Sequence, residues 1–200
     1  MKYSCYATIS VMAVLIILFG CQQSSNNAIT QSNVANQQPS VDVHTAGDEW
    51  IYFASKSQMV TNGIDRFAVT YSSNQVNFTF PYDGLQNGQL IVRKMASSNT
   101  YDVIFKIEKG QIICSDFDKC TINVKFDISP ASEFPASRSN DQDSTLLFID
   151  DANEFMSKLE HAKVVKIQPT VFQNGSPVFV FPVDGFSLQK LQTVPPADNE

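Results

Sequence analysis

Apolar side chains recur at every second position along much of this chain, and this period predicts β-strands. The clearest examples are residues 76–80, 101–107 and 122–128. In these segments every second residue is apolar, and the residues between them are mostly polar. Such alternation is typical of a strand with one face on the core and one face in water. In residues 101–107 only Ile104 departs from the pattern.

Shorter apolar runs predict further strands, and turn residues separate them. These runs cover residues 50–54, 67–71, 89–93, 111–114, 145–149, 164–167 and 178–183. Turns are predicted at Asn62-Gly63, Asp83-Gly84, Asn87-Gly88, Lys109-Gly110, Asn174-Gly175 and Asp184-Gly185. Many short strands with regular turns favour a mainly β fold, either an antiparallel β-sandwich or a partly open barrel.

One amphipathic helix is predicted at about residues 151–161. Ala152, Phe155, Met156 and Leu159 follow the spacing of a single apolar stripe on a helix. Asp151 precedes the stripe and can accept a hydrogen bond from the first turn as an N-cap. We expect this helix to cover one end or one face of the sheet.

The first residues of the chain predict export and membrane attachment. Residues 7–19 are almost wholly apolar, but they are shorter than the ~20 residues of a membrane-spanning helix. They lead into Leu18-Phe19-Gly20-Cys21, which resembles a bacterial lipobox. This resemblance implies cleavage before Cys21, fatty acylation such as palmitate on that residue, and a lipid-anchored envelope protein. In a host with two membranes, Gln22 after the lipidated cysteine implies the outer membrane.

The composition along the chain divides it into four parts. Residues 1–20 are predicted to be the lipoprotein signal peptide, and residues 21–47 the lipidated N-terminus with a flexible tether rich in Gln, Ser and Asn. Residues 48–191 are predicted to form the β-rich globular domain, and residues 192–200 a disordered tail. The net charge of −6 and the pI near 4.8 argue against nucleic acid as a partner.

The cysteines predict one structural disulfide. Cys5 is lost with the signal and Cys21 carries lipid, which leaves Cys114 and Cys120. Strands are predicted on both sides of the pair, so the two sulfurs are expected near the mouth of a hairpin loop in an oxidising compartment. A redox pair prefers Cys-X-X-Cys and a zinc site needs two more ligands, so no metal is expected.

The loop that this disulfide closes is a possible binding surface. Asp116, Phe117 and Asp118 are predicted to lie at its tip. The two aspartates lack the other ligands of a calcium-binding loop.

Two similar segments end in proline and an Asp-Gly turn. Residues 78–84 match residues 179–185 at five of seven positions. The match indicates either that the two halves of the domain are related or that the same strand ending occurs twice.

The sequence contains none of the common catalytic motifs, such as Gly-X-Ser-X-Gly, His-Glu-X-X-His or a phosphate-binding glycine-rich loop. We therefore expect a non-enzymatic envelope lipoprotein without a cofactor, anchored to the membrane through its lipid and binding or scaffolding another envelope protein. The alternative is a lipoprotein that binds a small ligand or a glycan in an aromatic cleft. Its candidate residues are Trp50, Tyr52, Phe53, Tyr71, Tyr82 and Tyr101.

Over about 100 residues, the order of elements in the second half resembles that of envelope proteins of unknown activity associated with type VI secretion. The resemblance lies in the apolar pattern of residues 90–93, 103–107, 122–127, 144–149 and 164–167, with Phe155, Leu159, Phe181 and Gly185-Phe186. It implies a sandwich with one helix, and it assigns no catalytic residue. The lipid anchor and the cysteine pair depart from that group.

Overall fold

The computed structural model describes residues 50–115 and 119–197, and these contain eleven strands and two helices. The strands are β1 (Ile51–Lys56), β2 (Ile64–Tyr71), β3 (Val76–Phe78), β4 (Gly84–Gln86), β5 (Gly88–Lys94), β6 (Asp102–Ile107), β7 (Thr121–Phe126), β8 (Ser132–Ser137), β9 (Leu146–Ile149), β10 (Val164–Gln168) and β11 (Phe179–Pro182). The helices are α1 (Ala152–Leu159) and α2 (Leu188–Thr193).

Nine of the strands form one antiparallel sheet in the order β1-β2-β5-β6-β9-β8-β7-β10-β11. The sheet changes direction at β8, whose first residues pair with β7 and whose last two residues pair with β9. The two outer strands, β1 and β11, do not pair with each other, so the sheet is not closed into a barrel. Strands β3 and β4 form a separate hairpin. The predicted mainly β fold with an antiparallel sandwich or partly open barrel is confirmed.

The two halves of the sheet enclose an aromatic core. The ring of Phe105 in β6 lies 5.4 Å from that of Phe179 and 6.2 Å from that of Phe181, both in β11. Gly88 begins β5 under these rings, and an added Cβ would lie 2.9 Å from Phe181 Cζ. Only glycine fits this close approach between the two halves, since a larger residue must displace a buried ring.

Helix α1 covers the β7–β8 part of the sheet. Asp151 accepts a hydrogen bond from the Glu154 backbone N–H at 3.2 Å, which caps the helix as predicted. Phe155 is fully buried, and its ring lies 5.1 Å from that of Phe126 and 5.6 Å from that of Phe134. The predicted helix is therefore present, and its apolar stripe faces the core.

Several local features differ from the prediction. The strand predicted at residues 76–80 ends at Phe78, and the short strand β4 was not predicted. Strand β7 ends at Phe126 because Asp127 takes a left-handed conformation with φ of 46°, which turns the chain and leaves Ile128 97% exposed. Residues 111–114 form a single bridge between Ile112 and Val171 instead of a strand. Strand β8 was not predicted, because Pro135 lies in its middle.

The two similar segments lie in different surroundings. Phe179 and Phe181 are fully buried in the large sheet, whereas Phe80, the counterpart of Phe181, is 74% exposed beside the β3–β4 hairpin. The two segments therefore do not occupy equivalent places in the fold.

The described structure continues past residue 191, where the sequence placed the end of the domain. Helix α2 runs to Thr193, and the Ala197 N–H donates to the Ala54 carbonyl at 3.2 Å. The predicted signal peptide, Cys21 and the tether up to residue 47 lie outside the described residues. None of the helices in the described part is long and apolar enough to cross a membrane.

Candidate functional site: an apolar face of the sheet

Five apolar side chains line up on the outward face of the sheet. Residues opposite each other on paired strands project from the same face. By this register Ile51 lies beside Val69, Val69 beside Ile91, Ile91 beside Ile104, and Ile104 beside Phe148. We call these five residues the apolar row. It crosses β1, β2, β5, β6 and β9, and four of its members are half-buried.

An aromatic pair extends the apolar row at the β1 side. Phe53 and Phe67 stack with ring centroids 4.9 Å apart and an interplanar angle of 12°. Phe53 is 45% exposed, which is high for a phenylalanine on a sheet. Around these rings and four members of the row, all except Phe148, lies a depression of about 410 Å³, lined only by residues of the strands that the row crosses. Since all these residues belong to one sheet face, the depression has a single wall.

The charges that border the row are paired. The Arg93 Nε donates to Asp102 Oδ2 at 2.7 Å, and its guanidinium lies 5.1 Å from the ring centroid of Phe148. Lys106 Nζ lies 3.8 Å from Asp143 Oδ2. Hydrogen bonds from the Thr145 hydroxyl and backbone N–H lower the pKa of Asp143, with a smaller contribution from Lys106. Each cation beside the row is thus matched by a carboxylate, and the face has no local excess of charge.

Continuous apolar runs in the sequence indicate this outward face, although they do not follow the alternating pattern. Residues 90–92, 103–105 and 146–149 are apolar at both parities. Such continuous runs are typical of strands that are covered on both faces. Here the core covers the inward face, and the outward face forms the open depression. Ile104, the exception to the predicted alternation, is a member of the row.

The predicted disulfide is present between Cys114 and Cys120, with Cα atoms 5.1 Å apart. The Arg138 Nε donates to the Cys114 carbonyl at 2.6 Å and holds this end of the loop. Strand β7 begins directly after Cys120, whereas the residues directly before Cys114 form only the single bridge at Ile112. A strand therefore flanks the disulfide on one side only. The proposed tip residues Asp116, Phe117 and Asp118 lie outside the described residues.

The six aromatic residues of the predicted cleft do not converge on one place. Phe53 and Tyr71 lie on the outward sheet face. Trp50, Tyr52 and Tyr101 hydrogen-bond to α2 or to the residues that precede it. Tyr82 belongs to the segment between β3 and β4. The Tyr52 hydroxyl accepts from the Ser187 N–H at 2.7 Å, and burial raises the pKa of Tyr52.

No group of three or more potential metal ligands occurs within the described ranges. His161 lies at the exposed end of α1, where its Nδ1 is 3.0 Å from the Ser157 carbonyl. Comparison of the chain with protein-family models, with curated proteins and with solved structures gave no match.

Proposed function

We propose that this protein is a non-enzymatic, lipid-anchored envelope protein whose β domain binds a segment of another protein through the apolar row. The observation that carries the proposal is the alignment of five apolar side chains on an outward sheet face whose bordering charges are paired. Four of these side chains are half-buried and Ile104 is 4% exposed, so the face is partly open to solvent. Apolar side chains open to solvent and bordered by polar groups favour an interaction surface. In this proposal, lipid on Cys21 and the tether in residues 21–47 keep the domain at the membrane.

The size of the row favours one segment of a partner over a large globular surface. Neighbouring strands lie ~4.8 Å apart, so a row of one residue on each of five strands spans about 19 Å, and one alternate position covers about 7 Å along each strand. This gives an area of about 130 Å², well below the ~800 Å² per partner of a standard interface. Burying it is worth about 3 kcal/mol at ~25 cal/mol per Å² before the costs of association, so the row by itself suits weak affinity.

The geometry gives less support to the small-ligand alternative. Small-ligand sites bury most of the ligand surface between converging walls. The depression over the apolar row has one wall, and the candidate aromatic residues are divided among three places. A flat apolar face is better suited to the side chains of a protein segment.

Site-specific photocrosslinking in the native host tests the proposed function. A photoreactive phenylalanine derivative at Phe53, which is 45% exposed beside the row, is expected to crosslink to one protein. The same derivative at Ile128, which is 97% exposed in the turn after β7, serves as the control and should give no such product. The absence of a protein crosslink at Phe53, or the same product from both positions, would contradict the proposal.

A further inference from the structure

The β11 edge of the sheet is capped by the loop after β2. The Ser73 N–H donates to Val180 O at 2.7 Å, and the Asn74 Oδ1 accepts from the Val180 N–H at 2.7 Å. The Asn74 Nδ2 also donates to Val178 O at 2.9 Å. Unpaired backbone groups on an edge strand can pair with another chain, and proteins protect them. At β11 the protection is provided by this polar loop.

The β1 edge is held by the C-terminal tail, residues 194–197, at a single place. The Ala197 N–H donates to the Ala54 carbonyl at 3.2 Å, and an isolated parallel bridge joins Ala54 to Pro196. Backbone groups alternate in direction along a strand, so Tyr52 and Lys56 present their N–H and C=O groups to the same edge as Ala54. Because the bridge is isolated, strand pairing within the described residues stops before Tyr52 and Lys56.

The sequence of the tail explains why the pairing stops. The Val194 N–H is used at the end of α2, where it donates to Lys190 O at 2.9 Å. Pro195 and Pro196 have no N–H and cannot donate to a ladder. The tail therefore covers the edge without forming a strand on it.

We propose that the β1 edge is where an extended segment of the partner protein adds as a further strand and displaces the C-terminal tail. This inference rests on the proposed protein-binding function and specifies the partner segment. In the register of the tail, Pro195 lies beside Phe53, so a partner side chain at that position extends the apolar face. The added strand is therefore apolar at the position beside Phe53, and it supplies N–H groups where the tail has prolines.

There is room for such a strand beyond Ala54. A depression of about 450 Å³ lies beside Pro196 and is otherwise lined by residues 56–64 of the β1–β2 hairpin. Met59 in this hairpin is 90% exposed. A segment that follows β1 past Lys56 enters this depression.

The test compares two full-length proteins and one shortened chain for binding to one defined peptide. The proteins are the wild type, a chain that ends after Val194, and a Pro195→Thr/Pro196→Val variant whose tail can form a strand. The probe is a fluorescent peptide of alternating Val and Thr with a Lys at each end, followed by anisotropy. The matched control peptide carries N-methyl groups at alternate backbone amides and cannot complete a ladder.

The shortened chain is expected to bind the probe about tenfold more tightly than the wild type, because one hydrogen bond no longer competes. The Pro195→Thr/Pro196→Val variant is expected to bind about tenfold more weakly than the wild type. Bound probe should slow amide exchange at Tyr52, Ala54 and Lys56, and the N-methylated peptide should not.

Equal affinities in all three proteins, including no binding by any of them, would overturn the inference, as would protection at β11 in place of β1. These results are separable from the proposed function. A crosslink at Phe53 that is unaffected by the tail variants leaves the function standing and removes the edge site. Peptide binding at β1 without a cellular crosslink at Phe53 would support the edge site and contradict the proposed function.

Discussion

Replacing Phe155 with alanine should detach helix α1 from the sheet at a large cost in stability. Phe155 is fully buried and its ring contacts those of Phe126 and Phe134. Truncation of a buried phenylalanine costs about 3–5 kcal/mol, since it removes apolar burial and leaves a cavity. For a domain of this size we expect the melting temperature to fall by roughly 6–20 °C.

Urea unfolding of the chain without residues 1–21 measures this loss. Trp50, the only tryptophan, is buried and its Nε1 donates to Val183 O, so its fluorescence reports unfolding. Phe80→Ala is the matched control, because Phe80 is 74% exposed and its truncation should cost less than about 0.5 kcal/mol. If the two variants differed by less than about 1 kcal/mol, the packing of α1 described above would be refuted.

Three further outcomes are expected. Val92→Thr places a hydroxyl in the core and should lower the free energy of unfolding by about 1–3 kcal/mol. Val69→Thr, on the outward face, should lower it by less than about 1 kcal/mol in the same urea assay. Equal losses in the two variants would mean that the two faces are wrongly assigned. Serine at both disulfide cysteines should cost about 2.4 kcal/mol at most, and a larger loss would mean that the loop supports the core. Thr145→Val should raise the pKa of Asp143, which an NMR titration measures. The ionised Asp143 carboxylate stabilises the folded wild type at pH values above its unfolded pKa. The difference in the free energy of unfolding between the wild type and Thr145→Val should therefore disappear as the pH falls through the folded pKa.

The alternating pattern predicted the strands that have one solvent-exposed face. It did not predict where strands end or pair when the local backbone conformation determines this. Strand β7 follows the alternation from Thr121 to Phe126, but no periodicity reports that Asp127 adopts a left-handed conformation. Strand β8 was missed because Pro135 argues against a strand, although here it lies where the sheet changes partners. Helix α1 was predicted because its capping residue and apolar stripe are local in sequence.

The candidate site was harder to predict because it depends on register. Apolar runs such as residues 90–92 show that both faces of a strand are apolar, but not which residues of other strands lie beside them. The pairing of Ile91 with Val69 and Ile104 arises from tertiary contacts between hairpins. The disulfide could be predicted because cysteine counting left only one pair.

If the outward apolar row binds a protein segment, the crosslink yield from Phe53 in cells must depend on the side chains of the row. Val69→Thr/Ile91→Thr removes two members of the row while keeping β-branched side chains. Its matched control, Ile128→Thr/Val178→Thr, makes the same changes at exposed positions outside the row. The crosslinked product is expected to fall at least about tenfold in the row variant and to be unchanged in the control. An undiminished product in a row variant that is folded by Trp50 fluorescence would mean that the row does not bind the partner.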